Sequence, residues 1–386
     1  PSLYSMSNIS KRLQAIDALR GLVILIMMVD HVRETFYLHY QVPDPMLIPG
    51  TEESLFFSRV LAHICAPVFV VLTGLSAYLY QAKNNIRMTR EFLIKRGLFL
   101  IFLELIIINF AWTGKFPPDV IYLQVIWAIG LSMIALAALI GLPKKLLWII
   151  SLTIIFGHNL LDQISFSNVP VIHNLWLILH ERGWIEFGDV IRFRTSYPVL
   201  PWIGVIALGY CIGAKVFDPS IEPNKRNKIL LTFGLSSMTL FFILRLINVY
   251  GDQAWSIMPT FTESLMSFIN VTKYPPSLLF ILWNVGIGLI LLVMLQKVET
   301  KNWIKPLIVF GSVPMFFYIV HLYVLKGLYL IAVEVFGKNY GDYYGVSSVA
   351  MLWFISLVLC IGLYPLMVKF SNFKHKNKHI SLLKYF

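Results

Sequence analysis

Apolar residues fall in long blocks along this chain, separated by short polar stretches. Ten blocks read as membrane-crossing helices: residues 18–39, 55–80, 93–113, 119–141, 145–164, 196–216, 229–250, 276–296, 305–334 and 346–369. A hydrocarbon core about 30 Å thick is crossed by roughly 20 apolar residues in a helix. The ninth block is long, and a tilt or a break near Gly327 accommodates it. The pattern predicts an all-α fold, a polytopic membrane helical bundle of about ten transmembrane helices. One transmembrane domain is expected over residues 1–370 and a basic tail over 371–386. The first block lacks a small-residue cleavage site, so it is expected to stay as the first span.

The polar residues are unevenly shared between the two sides. With the N-terminus in the cytoplasm, 22 of the 32 Lys and Arg residues fall on the inner side, from Lys11, Arg12 and Arg20 to Lys384 in the tail. That bias predicts that the N- and C-termini are both cytoplasmic. The longer loops, 41–54, 165–195 and 251–275, are then extracytoplasmic. They either shape an outer site or only connect spans, with Val171–Leu179 lying on the membrane as an amphipathic helix. Composition agrees: 58% of residues are hydrophobic and 13% charged, against about 25% charged in soluble domains. The net charge of +12 follows from membrane orientation, so the bilayer is the expected partner and nucleic acid is not. Cys65, Cys211 and Cys360 lie in apolar runs without disulfide or zinc spacing. No P-loop, dinucleotide fingerprint or internal repeat is visible. Gly204, Gly209 and Gly213 predict a close helix approach in the sixth span.

Ionisable residues at membrane depth are costly and mark function by default. Asp17 and His31 are 14 residues apart, roughly 21 Å along a helix, so His31 is expected in the outer half of the membrane. Asp30 either orients the His31 imidazole for general-base work or pairs with Arg33 at i+3. In the second span, Arg59 and His63 share a face, and Pro67 frees a backbone carbonyl near residue 63. His321 lies 16 residues beyond Lys305, roughly 24 Å, with Pro314 before it and Tyr318 and Tyr323 beside it. Three histidines from three spans thus share one expected depth. Metal binding is open to them, but acid–base work fits as well, and no metal is assigned. Glu104 sits near mid-membrane, either as a proton relay or as structural glue, with Asn284 within its expected reach. Lys273-Tyr274-Pro275-Pro276-Ser277, and Trp202 at the outer start of the sixth span, either hold an acceptor or anchor the interface.

These stretches resemble the catalytic membrane domain of heparan-α-glucosaminide N-acetyltransferase and the bacterial proteins grouped with it. The resemblance rests on Asp17-Ala-Leu-Arg20-Gly21, Ala66-Pro67-Val-Phe69-Val-Val-Leu-Thr-Gly74, Lys273-Tyr-Pro-Pro-Ser277-Leu-Leu and Gly311-Ser-Val-Pro314-Met-Phe-Phe-Tyr318-Ile-Val-His321, in the family's order. It implies ten or eleven spans and acyl transfer across a membrane from cytoplasmic acyl-CoA. It also implies a catalytic histidine near the outer face; His321 matches the family's late-span histidine, and His39 is the histidine of the loop after the first span. The ten residues between Arg20 and His31 are also similar to the spacing of acyltransferase-3 proteins, which acylate surface polysaccharides.

The expected activity is therefore that of a bacterial inner-membrane acyltransferase. It moves an acetyl or short acyl group from acyl-CoA (acetyl-CoA) to a hydroxyl or amine of an extracytoplasmic glycan or lipid-linked sugar. His31 is the expected base with Asp30 as its orienter, and His63 or His321 polarises the thioester or protonates the thiolate. Arg33, Arg59, Lys273, Tyr274, Glu104, Trp202 and Tyr318 are the expected substrate-binding groups, and Arg20, Lys95 and Arg96 meet the CoA phosphates. A homodimer is open to such a protein. The alternative is a proton-coupled transporter using the same intramembrane His, Glu and Arg.

Overall fold

The computed structural model describes residues 3–386, with side chains from Gln14 onward, so those of Lys11 and Arg12 lie outside the described ones. The helices, in chain order, begin with α1 (Leu3–Phe36), α2 (Glu53–Ala62), α3 (Cys65–Lys83), α4 (Ile86–Phe102) and α5 (Asn109–Thr113). A strand, β1 (Val120–Tyr122), leads into α6 (Val125–Leu139), α7 (Lys144–Gly157) and α8 (Pro170–Leu179). A hairpin of β2 (Trp184–Phe187) and β3 (Ile191–Arg194) precedes α9 (Leu200–Val216), α10 (Pro223–Ile247), α11 (Phe261–Ile269) and α12 (Leu278–Val298). The chain ends with α13 (Lys305–Ser312), α14 (Pro314–Phe336) and α15 (Val349–Lys376).

Among the described residues, six helical runs are long and apolar enough to cross a membrane: Glu53–Lys83, Lys144–Leu161, Pro223–Ile247, Leu278–Val298, Pro314–Phe336 and Val349–Lys376. The other expected spans rest on different helices. α1 carries charge at both ends, and α4 gives way to a π-helical stretch at Leu103–Ile108. α6 and α9 have 15 and 17 residues, roughly 22–26 Å of helix. The all-α expectation needs one correction. The loop segments β1, β3 and β2 form a small sheet in that order, with β1 parallel and β2 antiparallel to β3.

The chain divides into two compact units, Pro1–Cys65 with Leu291–Phe386, and Ala66–Ile290. In the first unit, α1 packs along α13 and also touches α2, α14 and α15. The α1–α13 crossing depends on two glycines. A Cβ at Gly311 would fall on the Asp17 carbonyl, and one at Gly21 on the Leu307 carbonyl. Such backbone approach is what small residues permit in membrane helices. The ninth expected span is broken, but at Val313 and not near Gly327. Val313 leaves the helical region (φ −133°, ψ 50°), and Pro314, which has no N–H to give, starts α14. Gly327 lies inside α14 with nothing packed against its α-carbon. α15 continues to Lys376, past the expected start of the tail, and Lys374 Nζ donates to the carbonyls of Ser312 (3.0 Å) and Phe386 (3.2 Å).

In the second unit α4 packs on α6, and α7 and α10 on α9. The glycines of α9 do what their spacing predicts: a Cβ at Gly209 would strike the Val71 carbonyl of α3. Arg245 of α10 is buried, and its guanidinium donates to the carbonyls of Gln253, Ser267, Phe268 and Asn270. It thereby supplies hydrogen bonds to the otherwise unpaired C-terminal carbonyls of α11.

Candidate functional site

The first unit collects one group of candidates. α1 places Asp30, His31 and Arg33 in its last two turns, and α14 places Tyr318 and His321 in its first two. His31 is 9% exposed and His321 is 0% exposed. His31 Nδ1 lies 2.6 Å from His321 Nε2. The ring planes are 6° apart with centroids 4.9 Å apart. Rings stacked face to face stand about 3.5 Å or more apart, so nitrogens this close mean that the two imidazoles meet edge to edge. Tyr318 presents itself at right angles to both, with centroids 5.7 Å from His31 and 5.4 Å from His321.

The second nitrogen of His321 decides the direction of this bond. His321 Nδ1 lies 2.9 Å from the Phe317 carbonyl oxygen, one helical turn back. A carbonyl only accepts, so His321 carries its proton on Nδ1. In the neutral pair, His321 Nε2 is then the acceptor and His31 donates from Nδ1. A neutral imidazole has one N–H, so His31 Nε2 keeps its lone pair. Sequence logic alone finds neither the bond nor its polarity, because 290 residues separate the partners.

The surrounding charges are paired. Arg33 Nε donates to Asp30 Oδ1 at 2.8 Å, and Arg33 Nη2 reaches Glu34 Oε1 at 3.3 Å. Of the two partners open to Asp30, the structure shows the i+3 arginine. The orienting contact to His31 Nδ1 comes from His321. Arg20 bonds Asp17 at 3.3 Å. His63 is buried and caps the C-terminus of α2, where the helix breaks before α3; its N–H donates to the Arg59 carbonyl at 3.0 Å. Arg59 is buried as well, and its Nε has no acceptor among the described residues.

The remaining expected residues belong to the second unit. Lys273 lies over the rings of Tyr274 (5.0 Å) and Tyr197 (5.7 Å), and Tyr197 packs on the fully buried Trp202 at 5.9 Å. Arg182 covers Tyr274 at 4.9 Å. Lys273, Tyr274 and Trp202 thus form one cluster, joined by Tyr197 and by Arg182. Glu104 sits apart from it, in the π-helical stretch. Its Oε2 accepts the backbone N–H of Trp127 at 3.0 Å, in the first turn of α6. A carboxyl oxygen there satisfies an end that Gln124 leaves uncapped. Asn284, the expected partner of Glu104, instead donates to the Phe280 carbonyl at 2.9 Å. Lys95 pairs with Glu91 on an exposed face of α4, and Arg96 is half-buried beside it.

Among the described residues, no group of three or more His, Cys, Asp or Glu side chains is placed to hold a metal ion. Among the described residues, Cys65, Cys211 and Cys360 form no disulfide.

No curated protein matches the chain. A family model does: the one described as heparan-alpha-glucosaminide N-acetyltransferase, catalytic, matches residues 12–246, more than half of the chain. His31 lies inside the matched stretch and His321 beyond it. With six apolar helices of crossing length, the chain is an integral membrane protein, and it belongs to the heparan-α-glucosaminide N-acetyltransferase catalytic family.

Proposed function

We propose that this protein is a multi-pass acyltransferase that moves an acetyl or short acyl group from cytoplasmic acyl-CoA to a hydroxyl or amine of an extracytoplasmic glycan or lipid-linked sugar. Ten crossings of a bacterial inner membrane, with both termini in the cytoplasm, go with this reading. The observation that carries it is the hydrogen bond from His31 Nδ1 to His321 Nε2, at 2.6 Å. It leaves one imidazole with a lone pair and a neighbour that stabilises its protonated form.

His31 Nε2 takes the proton from the acceptor's O–H or N–H as that atom attacks the thioester carbonyl. The new bond to carbon forms as the carbonyl becomes a tetrahedral oxyanion. When the C–S bond breaks, the CoA sulfur leaves with the bonding pair and receives the proton back from the His31 imidazolium. His321 holds the ring throughout, and its Nε2 accepts from the His31 Nδ1–H more strongly once His31 is charged. General-base help of this kind contributes about 10²–10⁴-fold. Arg20, Lys95 and Arg96 serve the CoA phosphates, and the Lys273–Tyr274–Trp202 cluster serves the acceptor, in the same proposal.

The interrupted helices at His63 and Val313 also suit a transporter, but the family match favours transfer chemistry. The experiment is incubation of the purified full chain in nanodiscs with radiolabelled acetyl-CoA and a panel of amino sugars and neutral oligosaccharides. Labelled sugar and free CoA in equal amounts support the reading. Absence of both product and thioester cleavage from folded protein would sink it.

A further inference from the structure

In the second unit, four large apolar side chains are exposed at every fourth position from α4 through the π-helical stretch into α5: Leu98, Phe102, Ile106 and Phe110. In an integral membrane protein an exposed stripe of this kind faces lipid. The small sheet is fastened to the end of that stripe. Asn109 of α5 donates from Nδ2 to the Val120 carbonyl at 2.9 Å, and its Oδ1 accepts the Tyr122 N–H at 3.0 Å. β1, and the sheet with it, therefore lies against the last turns of a lipid-facing helix, at the level where the apolar stripe ends.

Apolar side chains continue past the helix. Phe116, in the loop that leads into β1, is 76% exposed. Phe187 (59%) and Val190 (79%) flank the Gly188-Asp189 turn between β2 and β3. β1 runs parallel to β3 with Val120 beside Arg192, so that loop and that turn share one end of the sheet. Large apolar groups exposed together mark an interaction surface, as single ones do not. Two arginines stand just behind this tip. Alternation along β3 puts Arg192 and Arg194 on one face, with Glu186 opposite Arg192 and Trp184 opposite Arg194. Both guanidiniums rest on the Trp184 ring, Arg192 at 4.7 Å and Arg194 at 5.1 Å. Neither guanidinium has a hydrogen bond or ion pair to a described residue, although Glu186 is directly across from Arg192. Burial, and after it the charge of Arg182, pull Arg194 below its ordinary value. The nearest charge that acts on it is thus a like charge.

We infer that the β2–β3 hairpin and Phe116 form an anchor that docks on the phospholipid surface of the surrounding bilayer, with Phe116, Phe187 and Val190 in the acyl boundary and Arg192 and Arg194 on lipid phosphates. The spacing fits. A strand rises about 3.3 Å per residue, so Arg192 stands about 7 Å and Arg194 about 13 Å behind Val190. Interfacial elements sink about 5–10 Å, which leaves the arginines among the headgroups. A guanidinium fork takes two phosphate oxygens at once, and tryptophan, here Trp184, is a residue of membrane interfaces. Glu186 and Asp189 are exposed at the same end, so the surface carries both signs. That matches a zwitterionic headgroup, whose ammonium faces the carboxylates while its phosphate faces the arginines. A purely ionic polymer would leave the three apolar side chains in water. The anchor does not depend on the transfer reaction proposed above.

The test is a depth measurement on the full chain in phosphatidylcholine nanodiscs. Val190→Cys, in a background with Cys65, Cys211 and Cys360 changed to alanine, carries a nitrobenzoxadiazole label. A docked tip gives a label that is quenched by phosphatidylcholine spin-labelled near the headgroup and is shielded from aqueous iodide. Arg192→Gln and Arg194→Gln should each move the docked-to-free ratio about fivefold toward free, the scale of one basic side chain at a lipid surface. Circular dichroism checks that each variant is folded. A second measurement, hydrogen exchange of the parent chain, needs no substitution. Amides of residues 187–191 should exchange about fivefold more slowly in nanodiscs than in dodecyl maltoside, whose headgroup has no phosphate. Four results would overturn the inference. They are iodide quenching without lipid quenching; shielding from iodide without lipid quenching, which would mean that protein covers the tip; unchanged docking in the Arg192→Gln/Arg194→Gln double variant; and equal exchange in nanodiscs and detergent.

Discussion

His31 and His321 share one hydrogen bond, 2.6 Å from Nδ1 to Nε2, and the Phe317 carbonyl on the far side of His321 sets its direction. The relationship resembles that of a base and its orienting partner, with an imidazole where a carboxylate often stands. It predicts protonation states that can be observed directly. Nitrogen-15 spectra of the histidine-labelled protein near neutral pH should show Nδ1 protonated on both rings and Nε2 of His31 bare. A protonated Nε2 on neutral His31 would remove its role as base.

His321 is a positioning residue in this account, so its replacement should scale with the acceptor it retains. Glutamine can place an oxygen near the Nε2 position and accept from His31. His321→Gln should therefore keep more transfer activity than His321→Leu, with the loss in kcat and little change in KM. Equal losses in both, or a loss confined to KM, would assign His321 to substrate binding.

Glu104 offers a contrast between a relay and a cap. Its contact is to the Trp127 N–H at the start of α6, which a neutral amide oxygen can also accept. Glu104→Gln should keep transfer activity and thermal stability close to the parent. Glu104→Ala should lose about 0.5–2 kcal/mol, the usual worth of a helix cap. If Glu104→Gln abolished activity while melting normally, proton transfer through Glu104 would be the better explanation.

The two glycines singled out in the ninth block should behave in opposite ways. Gly311→Ala drives a methyl into the Asp17 carbonyl and must push α1 from α13. A stability loss above about 3 kcal/mol, or failure to fold, is expected. Gly327→Ala meets open space in the middle of α14 and should be neutral or stabilise by about 0.4–1 kcal/mol. Thermal unfolding in nanodiscs reads both, and similar losses would show that the α1–α13 crossing is misplaced.

Asp162 sets an acid limit on the pairing that ties the end of the α7 run to the end of α8. Burial pushes its carboxyl up, but the hydrogen bonds from His180 and Asn159 outweigh this and hold it below the ordinary value. A carboxyl depressed in the folded state stabilises fully above its unfolded value, about 3.9, and that contribution fades as pH falls through the folded value. Stability measured from pH 6 down to 2 should drop in this acid range, and Asp162→Asn should flatten part of the drop. An unchanged acid profile in the variant would mean that the pairing has no energetic weight.

The long apolar blocks made the helices legible, since a burial pattern of that length has few other solutions. Asp30 with Arg33 was legible too, because i+3 neighbours on a helix meet whatever else the fold does. The His31–His321 contact was visible only as two histidines at one depth. The break falls at Val313 and not at Gly327, because Pro314, with no N–H to donate, starts a new helix while a glycine inside a helix need not end it. The β2–β3 hairpin lies inside the long loop 165–195, where only the short alternating run from Trp184 to Arg194 around Gly188-Asp189 carries a strand signal. The pairing of Asp162 with His180 had no local signature at all, because the two lie 18 positions apart with α8 between them.

The proposed acyl transfer turns on His31 as its base. Its most direct test is the rate at which radiolabelled acetyl passes from acetyl-CoA to a sugar acceptor, measured for the parent chain and for His31→Ala of matched fold and yield. Labelled sugar is expected from the parent, and a rate about 10²–10⁴-fold lower from the variant. A variant that transfers acetyl at the parental rate would contradict it.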